Sequence, residues 1–303
     1  MSTEPFLPGQ GKAKFFSKPG RTIVLWLVLI VMFCSIYQVF SQPAPGRHAP
    51  GHHPAPDPFS GRWASELYVV ILFVGVGWVV WQRRRLRSVN VMNGEALELL
   101  GRGELQKAHA LFETMGQKFR RVVNVRALAQ YNVACVSLLE GQLEHATSEL
   151  VALGKRDGLS PMPWLKVTAA ANLALCHALA GNFELATPWL EEAEKNRATA
   201  ADPMRLTGTL TLVRAIMACR RGQPAEATRL IDRDWQGLEG LSGEQLRPLR
   251  LLRAFAASST GGPRDDGAVD RLLAPLRESR PGSLRYLTVA WPELGAFMDL
   301  HHV

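Results

Sequence analysis

The feature that most constrains what this chain can fold into is a spacing that returns four times. Glycine stands at Gly103, Gly141, Gly181 and Gly222, alanine follows five residues later at Ala108, Ala146, Ala186 and Ala227, and a large apolar residue comes four beyond that at Phe112, Leu150, Leu190 and Ile231. The glycines are separated by 38, 40 and 41 residues. Self-similarity at this length signals stacked helical hairpins, none of which can bury its apolar face alone. Helix-period apolar patterns flank each glycine, predicting helix pairs at 91–102 and 104–117, 127–140 and 143–153, 165–180 and 183–195, and 206–221 and 224–235. A looser fifth pair at 244–258 and 265–278 extends the repeat region to 91–281, and 282–303 is expected to cap it, broken or kinked near Trp291 by Pro292.

Upstream of the repeats the composition changes. Residues 1–21 form a basic, proline- and glycine-containing tail. The next stretch, 22–40, has no charge over nineteen residues, enough helix at about 1.5 Å per residue to cross a bilayer core of ~30 Å. A cleaved signal peptide is the alternative, but the apolar run is longer than such peptides carry and Pro43 and Pro45 crowd the cleavage site. Residues 41–62 are rich in proline, glycine and histidine and read as an extended extracytoplasmic loop. Its His48, His52 and His53 read as a solvated spacer, with a surface metal site as the competing reading. A second span is expected at 63–82, its apolar run bracketed by Trp63, Tyr68, Trp78 and Trp81 at headgroup depth.

Arg83, Arg84, Arg85 and Arg87 lie in the juxtamembrane segment 83–90. With the basic tail, they place both termini in the cytoplasm, because cytoplasmic flanks carry the excess of Lys and Arg. The expectation is a two-pass integral protein of a bacterial inner (plasma) membrane, its repeat domain cytoplasmic. The formal charge of +8 agrees, since residues 1–90 hold ten Lys and Arg against three Asp and Glu, while residues 91–303 hold twenty-five against twenty-four. A near-neutral repeat domain lacks the positive field that phosphate backbones require, so no nucleic-acid partner is expected. Cys34, Cys135, Cys176 and Cys219 have no paired spacing and fall in apolar helical runs, as small buried hydrophobes in a reducing compartment do. No metalloprotease motif, nucleophile elbow, phosphate loop or catalytic carboxylate pair is present, so the chain reads as a non-enzyme with no cofactor and no metal.

The repeated pattern resembles the tetratricopeptide (TPR) family of helical repeats over about residues 91–260. That family places a small residue midway along the first helix, matched here by Ala96, Ala134, Ala174 and Ala215, then the glycine–alanine–apolar triple given above. The period here is longer than the family's ~34 residues. The resemblance implies an α-solenoid whose first helices line a partner groove. It also implies that Asn132 and Asn172, each with a basic residue six positions earlier (Arg126, Lys166), grip a partner's backbone or terminal carboxylate. A full carboxylate clamp would need basic residues where the fourth unit has Thr209 and Val213. Generic peptide docking is therefore the reading, against the alternative that the asparagines bond within the fold. Lys118, Arg120, Arg121 and Arg126 form a basic patch read as a solvated segment, with lipid headgroups as the other possibility.

The expected fold class is thus all-α: two transmembrane helices followed by a solenoid of TPR-like hairpins. Two functions follow. One is a membrane-anchored cytoplasmic scaffold that recruits a protein partner, with membrane lipid as its other contact; the other is a structural or assembly subunit of a membrane complex, held through its spans.

Overall fold

A computed structural model describes residues 62–154, 162–238, 240–260, 266–278 and 283–303, with backbone alone at 62–69, 71, 244 and 266. Among these residues the fold is all-helical, with no strand. The helices are α1 (Arg62–Gly101), α2 (Leu105–Lys118), α3 (Val123–Leu139), α4 (Leu143–Gly154), α5 (Pro163–Leu179), α6 (Phe183–Lys195), α7 (Pro203–Arg220), α8 (Pro224–Trp235), α9 (Gly243–Ser259), α10 (Asp266–Arg277) and α11 (Pro292–Leu300). The chain divides into two compact units at Arg84, and the array of hairpins belongs to the unit that begins at Arg85.

The turn glycines have a shared physical cause. Gly103, Gly141, Gly181 and Gly222 take φ of 73°, 79°, 82° and 74°, the left-handed region where a side chain is strained. At each, the glycine N–H donates three residues back and the next N–H five residues back. In the second hairpin these are Gly141 to the Leu138 carbonyl at 3.0 Å and Gln142 to the Ser137 carbonyl at 2.8 Å. This is the Schellman closure, which satisfies carbonyls that a helix end otherwise leaves open. The chain reverses in two residues, and the second helix packs back on the first.

Packing then runs along the array. Each first helix lies against its own second helix, α3 with α4, α5 with α6, α7 with α8 and α9 with α10, while α3, α5, α7 and α9 also stack on one another in series. The alanines at the crossings, Ala108, Ala146, Ala186 and Ala227, are fully buried, as are Ala96, Ala134, Ala174 and Ala215 on the first helices. Fully buried positions on both sides of a crossing require small side chains if backbones are to approach closely.

The first helices begin earlier than their apolar patterns suggest. α5 and α7 start at Pro163 and Pro203, where a missing N–H costs nothing and φ is already set. Asp202 caps α7 by accepting from the Arg205 N–H at 3.0 Å. α9 opens with a reciprocal capping box, Ser242 Oγ accepting from the Gln245 N–H and Gln245 Oε1 accepting from the Ser242 N–H.

The first helices are also buried on more sides than a simple hairpin stack provides. α3 buries eight consecutive residues, Tyr131 to Leu138, and α7 buries Gly208 through Val213 without a break. A helix buried all round needs cover on both faces. Part of that cover is the C-terminal segment, which reaches back beyond the last hairpin. Its turn at Arg285–Leu287 packs on α3, and Val289 sits against Gly141, where an added Cβ would run into Val289 Cγ2. Trp291 stacks edge-on with Phe255 of α9, centroids 5.3 Å apart, and receives the Arg220 guanidinium from the end of α7 over its ring at 5.6 Å. Arg220 also donates to the Leu179 carbonyl at the end of α5. Leu284, Tyr286, Leu287, Trp291, Leu294, Phe297 and Met298 are all buried. A cap would touch only the final hairpin; this segment lies along the first helices as far back as the second. Pro292 begins α11 at its first turn and so ends the preceding turn.

The tail 1–21, the expected span 22–40, the loop 41–61 with its histidines, and Cys34 lie outside the described residues. Among the described residues no helix is long and apolar enough to cross a membrane. The second expected span falls inside α1, a single helix of 40 residues. Where its side chains are described, Val70, Leu72, Phe73, Val74, Val76, Trp78, Val80 and Trp81 are all exposed.

Candidate functional site

The asparagines expected to face a partner turn instead toward neighbouring first helices. Asn132 is 2% exposed, and its Nδ2 donates to Asn93 Oδ1 on α1 at 2.9 Å. Asn172, half-buried on α5, donates to the Tyr131 hydroxyl at 2.9 Å and to Cys135 Sγ at 3.5 Å, both on α3. The two residues are rungs that join α1 to α3 and α3 to α5. A side chain as buried as Asn132 offers no surface to a ligand, so the expectation that it grips a partner is corrected here: its amide is bonded inside the array.

The same rungs account for the chemistry around them. Tyr131 is wholly enclosed, and burial pushes its hydroxyl well above the usual tyrosine range. Burial likewise pushes the thiols of Cys135, Cys176 and Cys219 up to about 12. These are neutral thiols at physiological pH, without the thiolate character that nucleophiles and metal ligands need. His177, near the end of α5, is shifted downward by burial and has no charged partner among the causes of its shift. Between α7 and α8 Thr211 donates to Asp234 at 2.6 Å, and Arg233 beside that carboxylate holds it below the usual range.

Arg126 and Lys166 are both exposed, on the opening turns of α3 and α5. They are not brought together with the asparagines. Arg126 instead lines a cleft of about 650 Å³ between α2, α3 and α4. Arg120 stands beside it on the connection into α3, and Gln130, Val133 and Phe112 form the floor. Gln130 spends its Nε2 on the Glu149 carbonyl at 3.2 Å, which leaves its buried Oε1 without a hydrogen-bond partner among the described residues. His145 and Glu149 close the far side on α4, and Glu113 borders the near side on α2, 3.8 Å from His109.

The cleft exists because α2 and α3 approach closely at Gly116, where an added Cβ would lie 3.3 Å from the Ala129 Cβ. Two arginines, a buried amide oxygen without a hydrogen-bond partner among the described residues and an apolar floor form a polar-rimmed slot. The sequence held one signal of it: Gly116 interrupts an otherwise good helix where no turn is needed, which marks a close backbone approach.

Arg83, Arg84 and Arg87 are exposed, and Arg85 is half-buried with its guanidinium 5.8 Å from the centroid of the Phe119 ring. Lys118 lies over the same ring at 5.7 Å. The basic connection between α2 and α3 is thereby held next to the start of the array's first helix.

No protein-family model matches this sequence, no curated protein matches it, and no solved structure matches its fold.

Proposed function

We propose that the chain is a membrane-tethered cytoplasmic scaffold of TPR-like hairpins, holding a protein partner in the cleft between α2, α3 and α4. The observation that supports this most is α1. One uninterrupted helix carries an apolar stretch exposed through Trp81, then Arg83, Arg84, Arg85 and Arg87, and then Val89, Ala96 and Leu100 buried in the array. Apolar surface of that extent is covered in a working protein, and a bilayer supplies such cover. The arginines after it belong on the cytoplasmic side. The uncharged stretch 22–40 supports a second span and hence two cytoplasmic termini.

The likeness to TPR proteins rests on the glycine-closed turns and the buried small residues at each crossing, in hairpins with a longer period. The docking reading moves from the asparagine face, which is internally bonded, to the cleft on the second-helix side. The competing role, a structural subunit whose apolar helix packs against helices of a complex, is favoured by the same exposed surface of α1.

One experiment separates them. A reporter active only in the cytoplasm, fused after Val303, should be active, and one active only outside should work when inserted near Gly51. In the same membranes, Arg120→Glu with Arg126→Glu should reduce crosslinking from the cleft while the chain stays membrane-bound. Inverted reporter activity would overturn the topology. Crosslinking that ignores the charge reversals but disappears when the apolar residues of α1 are replaced would favour the structural-subunit role.

A further inference from the structure

The segment 283–303 is built differently from the helices it covers. Leu284, Leu287, Trp291, Leu294 and Met298 are each no more than 5% exposed, and they follow one another at alternating spacings of three and four residues. Arg285, Val289, Glu293, Ala296 and Leu300, interleaved with them, are exposed. By contrast, α3 over Tyr131–Leu138 and α7 over Gly208–Val213 have no exposed side. One-sided burial at this spacing is how an amphipathic helix lies in a receptor groove, whereas a core element is covered all round. The attachments of the segment have the same character. Trp291 is the central anchor, with Phe255 of α9 edge-on at 5.3 Å and the Arg220 guanidinium of α7 over its ring at 5.6 Å. Phe297 meets the same Phe255 at 5.5 Å. Polar bonds hold the two ends: Arg247 of α9 donates to Ser283 Oγ at 2.7 Å, and Arg277 of α10 donates to the His301 carbonyl at 3.0 Å.

We propose that residues 283–303 are the array's own ligand, an autoinhibitory segment that fills a groove on the first-helix side and keeps it closed in the resting chain. The groove takes a short amphipathic segment anchored by tryptophan, and the attached copy shows which contacts it selects. A protein able to open it would present the same five apolar positions around a tryptophan. It would enter only where the attached copy is weakened, because attachment favours the copy in place by about a thousand-fold over a micromolar competitor. The inference is independent of the membrane tether and of the cleft between α2, α3 and α4.

The test uses the full chain in mild detergent and, as probe, a fluorescein-labelled synthetic peptide of residues 283–303. Binding is read by anisotropy and helicity by circular dichroism on the same samples. The wild-type chain at micromolar concentration should leave the peptide free. A chain with Trp291→Ala and Leu294→Ala, which strips two anchors from the attached copy, should keep its helicity and bind the peptide saturably. A peptide carrying the same two replacements should bind that chain about thirty-fold or more weakly. A variant chain that keeps its helicity and takes up no peptide overturns the proposal, because the groove then does not accept the segment in trans. One that loses the helicity of the hairpins overturns it too, since the segment would then be part of the core. Equal uptake by wild-type and variant chains, or of both peptides, places the peptide elsewhere and likewise overturns it.

Discussion

Replacing Gly141 by alanine tests both the turn geometry and the path of the C-terminal segment, because two separable costs meet there. The first is conformational: φ of 79° puts an L-residue in the left-handed region, a penalty of about 1–2 kcal/mol. The second is steric, since the new methyl would meet Val289 Cγ2, and overpacking of this kind costs about 1–3 kcal/mol. Gly222→Ala isolates the first cost, having φ of 74° and, among the described residues, no atom within 4 Å of the added Cβ. Gly141→Ala should therefore lower stability by roughly 2–5 kcal/mol and Gly222→Ala by roughly 1–2. Val289 is 56% exposed, so Val289→Ala alone should change stability by less than about 0.5 kcal/mol. In the Gly141→Ala background the same change should return the steric part and leave the conformational part. Urea unfolding of the full chain in mild detergent, followed by helical circular dichroism, measures all four proteins. A cycle with no coupling between positions 141 and 289 would mean that the C-terminal segment does not lie on the second hairpin.

The rungs between first helices give a second expectation. Asn132→Ala strands Asn93 Oδ1 and Asn172→Ala removes the donor to a wholly buried Tyr131 hydroxyl, each worth about 1–3 kcal/mol, so the double variant should melt well below wild type; unchanged melting would show that these amides face solvent. The thiols give a third. With folded-state values raised to about 12 from 9.0, Cys135 and Cys176 are protonated in the fold where the unfolded chain ionises, so their contribution is fully present below pH 9 and is lost as pH rises from 9 toward 12. Maleimide labelling at pH 8 should be slow in the native protein and fast after denaturation, and rapid native labelling of either residue would contradict the burial.

What the sequence made legible was whatever depends on local chemistry. A glycine after an apolar-periodic run, followed by a polar residue and a second such run, has few solutions besides a left-handed helix stop and a reversal, and the all-helical architecture follows from that pattern repeating. The starts of α5 and α7 were less visible because Pro163 and Pro203 belong to helices whose apolar pattern begins two or three residues later. The course of residues 283–303 was not legible, since nothing local to Val289 or Trp291 says which distant turn they meet. A hint was nonetheless present in α3. Its sequence from Tyr131 to Leu138 has no polar face to give to water, and a helix with no polar face implies a second covering layer. The asparagines misled for a related reason: their type is ordinary on a binding surface, and only the placement of Asn93 and Tyr131 opposite them shows that they are bonded within the array.

The covering layer decides which face of the array is left open. A free peptide able to make the same contacts as residues 283–303 competes with a segment that is already attached. Attachment by a short chain corresponds to an effective concentration of about millimolar, so a peptide with equal contacts at micromolar concentration loses by about a thousand-fold. The attached segment is also well engaged, with Leu284, Leu287, Trp291 and Leu294 each no more than 5% exposed. A partner therefore gains more from surfaces that are unoccupied. The cleft beside Arg120 and Arg126 is one of these. Binding on the first-helix side would first have to undo contacts that folding has made. The polar groups joining α1, α3 and α5 hold the array together, so the first-helix side is spent on folding.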